Sequence, residues 1–268
     1  MKSQNAKEII AKWYSTLDFP SNMDADFYAA LENFTIDDGI TLESYDTKSQ
    51  NGTANLMYFL YFCEALKEKY NEKDIPQNIL VDTLNDIPTW TKTWSGLKGK
   101  LYLGELEWLK RHLGMKLFKL GRLQFCIAKS EHAIPEASLE KGEPIIEVHI
   151  PENEPLNKEA CQKSIESARA FFARYFPEYK YSLFTCHSWL LDTSLGEFLP
   201  DESNIIKFAS LFNIVRQDPA DAIFGYVFKW GTSRKEANEW KTTSTFSQKI
   251  KSAALADREF YEGLGYIK

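Results

Sequence analysis

The spacing of apolar residues changes character near Gly114. Before it, apolar positions recur at helical intervals between short breaks. Residues 6–17 form an amphipathic start that Pro20 ends. Asp24 or Asp26 caps a second short helix through Phe34, and Asp38-Gly39 marks a turn. The polar stretch 41–51 that follows fits no element. From Thr53, the apolar run 55–63 and then Ala65-Leu66 and Lys67-Glu68-Lys69 predict a helix buried at its front and solvated at its back. Pro76 opens the next helix, with Ile79, Leu80, Val81 and Leu84 on its apolar side up to a break at Pro88. One more short helix, residues 103–113, is closed by Gly114.

After Gly114 the period becomes two. Over residues 119–127, Leu123, Phe125 and Ile127 alternate with Arg122, Gln124 and Cys126, the pattern of a half-buried strand. Over residues 145–150, Ile146, Val148 and Ile150 face opposite to Glu147 and His149. The connection, with Pro135, Gly142 and Pro144, suits a long hairpin. In residues 157–176, Cys161, Ile165, Ala168, Phe172 and Tyr175 recur at helical spacing between a cap at Asn157 and a stop at Pro177. This helix is expected to cross back over the sheet. Residues 181–191 predict a third strand, a helix begins at Asp201 or Ser203, and residues 223–230 alternate weakly as a fourth strand. A last helix over residues 243–262 stops at Gly263 before a short apolar tail. The fold class is therefore α+β: a helical domain over residues 1–115, then a mixed α/β domain over residues 116–268 whose sheet is mostly antiparallel.

Composition narrows the function classes. The net charge of -6 and the pI of about 5.4, without any basic block, argue against nucleic acid as a partner. The most apolar stretch reaches Glu64 after about nine residues, short of the roughly twenty a membrane span needs. Cys63, Cys126, Cys161 and Cys186 stand far apart with no C-x-x-C pair and no leader before Trp13, so the expected setting is the reducing cytoplasm. Rings make up 14% of the chain, mostly at core spacing.

Motifs for dinucleotide, P-loop, zincin and α/β-hydrolase chemistry are missing, and His112, His132, His149 and His187 show no metal-ligand spacing, so no metal is predicted. What remains is Glu147 with His149. Two apart on a strand, they share a face, and a neighbouring carboxylate favours an imidazolium. If Arg122 and Gln124 lie on the same face of an adjacent strand, four polar groups converge where a polar small molecule could be oriented. The plainer alternative is a wet sheet face with Arg122 paired to Glu147, worth roughly 0.2 to 1 kcal/mol. Cys186-His187 cannot form a thiolate-imidazole pair along one strand, because consecutive residues face opposite ways. Asp192 is either a site residue or a turn cap, and Tyr181 and Tyr226 are either proton donors or core.

In order along the chain, Gly39-Ile-Thr41, Tyr45-Asp-Thr-Lys48, Asn55-Leu56, Gly121-Arg-Leu-Gln-Phe125, Val148-His-Ile-Pro151, Ala170-Phe-Phe-Ala-Arg174, Phe176-Pro-Glu178, Ser188-Trp-Leu-Leu-Asp192 and Ser203-Asn-Ile205 resemble a bacterial family of acyltransferase-domain-containing proteins. The resemblance implies an N-terminal helical domain, a GNAT-like C-terminal domain, and transfer of an acyl group from acyl-CoA or acetyl-CoA to an amine. On that reading Glu147 or His149, the pair already singled out on the strand, is the catalytic base, and Arg122, Gln124, Trp189 and Asp192 are the expected substrate-binding residues. The resemblance also implies Asn157 and Lys158 at the helix terminus that receives the pyrophosphate. The loop 151–156 departs from the family's glycine-rich pattern, with no glycine, two prolines and two carboxylates. That departure supports an alternative: a non-enzymatic protein that holds a small ligand or a partner on a degenerate GNAT-like fold.

Overall fold

The computed structural model describes residues 2–152 and 154–268, which divide into two compact units meeting at Leu120 and Gly121. The first unit is helical. It contains α1 (Lys2–Thr16), α2 (Asp24–Asn33), α3 (Gly52–Glu72), α4 (Gln77–Leu84), α5 (Asp86–Lys98) and α6 (Leu106–Leu113), and ends with β1 (Leu117–Leu120). The long apolar run places α3 at its centre, where Leu56, Phe59, Leu60, Cys63 and Leu66 are all buried and α1, α4 and α6 pack around it. Asn51 caps α3 by accepting from the Ala54 N–H at 3.1 Å. Pro88 does not break the chain as expected. It lies in the first turn of α5, where a missing N–H costs nothing.

The second unit contains β2 (Leu123–Lys129), β3 (Pro144–His149), α7 (Lys158–Tyr175), β4 (Phe184–Ser188), α8 (Asn204–Ala209), β5 (Asn213–Pro219), α9 (Ala222–Val227), α10 (Thr245–Leu255) and β6 (Tyr261–Ile267). Its five strands run in the order β2-β3-β4-β6-β5, with β3 and β4 parallel and the other pairs antiparallel. The class is α+β with a mostly antiparallel sheet, as the sequence predicts.

One sheet face is apolar. Phe125 of β2 and Phe184 of β4 meet edge to face at 5.8 Å, and α7 lies toward this side with Ile165, Ala168, Phe171 and Phe172 buried. Each of the larger side chains contributes roughly 1.5 to 3 kcal/mol on burial. At one end of the opposite face, the connection 130–143 packs Ile134 and Leu139 with Ile145, Leu183, Leu264 and Tyr266.

Three expected elements differ. The strand expected over residues 119–127 is interrupted at Gly121, whose φ of +75° makes a turn. Residues 222–227 are helical, because Ile223 and Phe224 both face the cluster of Leu195, Trp240, Ile250 and Phe260. The apolar tail is not an appendage but β6, flanked by β4 and β5. Among the described residues, no helix is long and apolar enough to cross a membrane.

Candidate active site

The β2-β3 register sets Gln124 directly opposite His149 and Cys126 opposite Glu147. Paired residues share a face, so these four side chains occupy one patch of the face opposite α7. Gln124 and Cys126 are buried there, while Glu147 and His149 are half-buried. His149 Nε2 lies 3.4 Å from Glu147 Oε2. Donor atoms of Cys126, Glu147 and His149 fall within 4.8 Å of one another, a proximity that no sequence spacing foretold. The pairing of β2 with β3 accounts for it without an ion.

β3 and β4 begin as parallel neighbours, paired at Ile146 with Phe184 and at Glu147 with Thr185. There the ladder stops, although β3 continues through Val148 and His149 and β4 through Cys186, His187 and Ser188. Beyond Glu147 and Thr185 the two strands continue without further pairing, and the carboxyl ends of parallel strands are the usual place for a ligand. His149 follows Glu147 on β3 just past the last rung. At the other end of β3 the Tyr179 hydroxyl shares its proton between the carbonyls of Ala128 and Ile145, residues paired across β2 and β3.

Arg122 does not join the patch. It follows Gly121 in the turn before β2 and reaches the loop ahead of α7, where Nε donates to the Pro155 carbonyl at 3.0 Å and Nη2 to the Glu154 carbonyl at 2.9 Å. Its Nη1 is buried without a hydrogen-bond partner among the described residues. Burial pulls the guanidinium's pKa below its ordinary value, partly offset by Cys161 and Glu154. Burial pushes the Cys161 thiol up to about 11, and the Arg122 charge limits that rise. Asn157 caps α7 as expected, accepting from the Ala160 N–H at 3.1 Å, and Lys158 Nζ donates to Ser210 Oγ at 3.0 Å.

Two expected site residues lie within the fold's framework. Asp192 is buried, and its carboxylate oxygens accept from the backbone N–H groups of Ser194 at 2.8 Å and Tyr261 at 3.0 Å. That is a turn cap that also pins β6, and both carboxylate oxygens are already committed to the backbone. Trp189 packs against the second unit's apolar cluster and stacks on Tyr226 at 5.8 Å. Cys186 is buried, and burial followed by Glu147 and Glu262 pushes its thiol pKa upward, which disfavours a thiolate there.

The sequence reading set aside one residue that the structure brings forward. His187 Nε2 lies 3.5 Å from Asp218 Oδ2, and Asp218 Oδ1 accepts from Arg216 Nε at 2.7 Å. Asp218 is on β5, a strand with no clear alternation, so nothing in the sequence announced the pair.

A parallel strand pair connected through a capped helix, within a mostly antiparallel sheet, is the arrangement of a GNAT-like domain. Residues 1–115 match the N-acyltransferase N-terminal domain and residues 117–267 the GNAT-like C-terminal domain, and the chain belongs to the family that these two domains define. Three solved structures are similar. One is an acyltransferase mutant in complex with octanoyl-CoA (26% identity, 81% of this chain and 66% of that one, TM-score 0.71). Another is an acyltransferase in complex with decanoyl-CoA (28%, 80% and 65%, TM-score 0.69). A third is an acyltransferase in complex with decanoyl-CoA and teicoplanin (27%, 81% and 66%, TM-score 0.71). The chain thus spans just under two thirds of the length of these structures. No curated protein matches it.

Proposed function

We propose that the protein is an N-acyltransferase, with residues 1–115 and 116–268 as its two domains, that moves an acyl group from acyl-CoA to an amine of a small molecule. The observation that supports this reading is the end of the β3-β4 ladder at Glu147 and Thr185, beside which Glu147 and His149 lie 3.4 Å apart. An acyl thioester lying past this last rung would present its carbonyl to an amine on the polar face. Glu147 and His149 take the proton that the amine loses, and Gln124, opposite His149, orients the acceptor. Such base assistance contributes about 10²- to 10⁴-fold, and holding donor and acceptor together contributes more. No covalent enzyme intermediate is required.

The loop 151–156 lacks glycine, yet its backbone is set in another way. Arg122 draws the carbonyls of Glu154 and Pro155 onto itself. In a trans peptide the N–H points opposite to the C=O, so the Leu156 N–H faces away from Arg122. With the backbone N–H groups of Lys158 and Glu159 in the first turn of α7 and the Lys158 ammonium, it supplies donors for a pyrophosphate. The buried Nη1 of Arg122 is one more cationic donor beside the same loop.

The non-enzymatic reading draws its support from Glu152 and Glu154, whose charges in this loop oppose an anion. Titration of acetyl-, octanoyl- and decanoyl-CoA into the protein, followed calorimetrically, separates the two. Saturable heat with at least one donor is expected. No binding at about millimolar concentrations overturns the acyltransferase reading.

A further inference from the structure

Two histidines stand beyond the last rung of the β3-β4 ladder, one on each strand. Glu147 and Thr185 form the last rung of the ladder, and His149 and His187 stand two residues beyond it on β3 and β4 respectively. Side chains two apart share a face. Both imidazoles therefore belong to the face that carries Gln124 and Cys126. Across β4 and β6, His187 pairs with Leu264, and Leu264 pairs in turn with Arg216 of β5. Asp218, two residues on from Arg216, reaches back over this row to His187 Nε2 at 3.5 Å while held by Arg216 Nε at 2.7 Å. The side chains of His187 and Asp218 are 42% and 32% exposed, so a ligand can reach them.

Acyl transfer to an amine moves two protons. The amine gives one up, and the departing thiolate takes one. Glu147 and His149 account for the first alone. We propose that His187, oriented by Asp218, donates the second proton to the sulfur of the leaving CoA, an assignment that rests on the acyltransferase reading above. The amine nitrogen bonds to the thioester carbon, the carbonyl re-forms, and the C–S bond breaks with its electron pair on sulfur. The N–H proton passes to the Glu147 and His149 side, and a proton from His187 converts the thiolate to the free thiol. Exchange with solvent then restores both imidazoles. Nothing is oxidised or reduced.

The test uses two acyl donors of equal chain length, acyl-CoA and the thioester of a more acidic aryl thiol, which leaves without protonation. Relative to the unmodified protein, His187→Gln is expected to lose about 10²-fold in kcat/KM with acyl-CoA but less than about tenfold with the aryl thioester. Asp218→Asn gives the same donor dependence with a smaller loss, and serves alone if His187→Gln fails to fold by circular dichroism. Equal losses on both donors, or unchanged transfer from acyl-CoA, overturn the assignment while the acyltransferase reading stands. If the unmodified protein transfers from neither donor, that reading fails and takes the assignment with it.

Discussion

The guanidinium of Arg122 donates to the backbone carbonyl of Pro155 at 3.0 Å, tying the turn before β2 to the loop before α7. Hydrogen bonds from a charged donor are worth roughly 1.5 to 3 kcal/mol each when a partner is removed. Arg122→Met therefore lowers the unfolding free energy by about 2 to 4 kcal/mol, read from urea denaturation. Under the acyltransferase reading it also weakens acyl-CoA binding about tenfold or more, because the loop carbonyls lose the group that orients them. Unchanged stability would show that the loop holds its shape without Arg122.

Asp192 accepts two backbone N–H groups, one from Ser194 and one from Tyr261. Asp192→Ala leaves both donors without their partner in a buried site, at a cost of about 1 to 3 kcal/mol each. The expected outcome is a protein destabilised by about 2 to 5 kcal/mol, with amide exchange accelerated along β6. A variant with unchanged stability and impaired ligand binding would return Asp192 to the binding site.

High pH should unfold the helical unit for an identifiable reason. Burial raises the Tyr45 hydroxyl to about 12, with Tyr58 adding to the rise. Burial likewise raises Tyr58 to about 12, reinforced by its hydrogen bond to Asp37 at 2.6 Å. An unfolded tyrosine loses its proton near 10, so between about pH 10 and 12 the unfolded chain binds fewer protons than the folded one. Stability then falls as pH rises through that window, by up to about 1.4 kcal/mol per pH unit for each tyrosine. Tyr58→Phe should make the decline shallower in denaturation experiments at successive pH values.

Replacing the base separates catalysis from binding. His149→Gln and Glu147→Gln are each expected to reduce acyl transfer by about 10²- to 10⁴-fold while changing acyl-CoA affinity less than about tenfold. A parallel loss of affinity and rate would place the pair in ligand binding.

The sequence was informative where its local pattern agreed with the long-range fold. Alternation in residues 119–127 and 145–150 pointed to the two strands and to the face shared by Gln124, Glu147 and His149, and Asn157 identified the start of α7. It misled where packing needs a residue that local rules treat as a breaker. Gly263 and Gly265 suggest the end of a helix and a tail, yet both lie within β6. A Cβ at Gly263 would come within 2.3 Å of the Leu191 carbonyl, and one at Gly265 within 2.8 Å of the Phe212 side chain, so the strand fits only without side chains there. Arg122 was placed on the polar face because alternation was carried back through Gly121, where the chain turns. His187 was passed over because its partner comes from β5, more than twenty-five residues onward.

β6 also bears on when the site can exist. It lies between β4 and β5 but follows both in the chain, so β5 has no strand neighbour, and β4 only β3, until residues 261–267 have been made. Until then Asp192 lacks its Tyr261 donor and nothing sets Asp218 against His187. Synthesis alone thus keeps one side of the site unassembled until almost all of these residues have emerged from the ribosome. By then β2, β3 and α7 have been available to one another for some time.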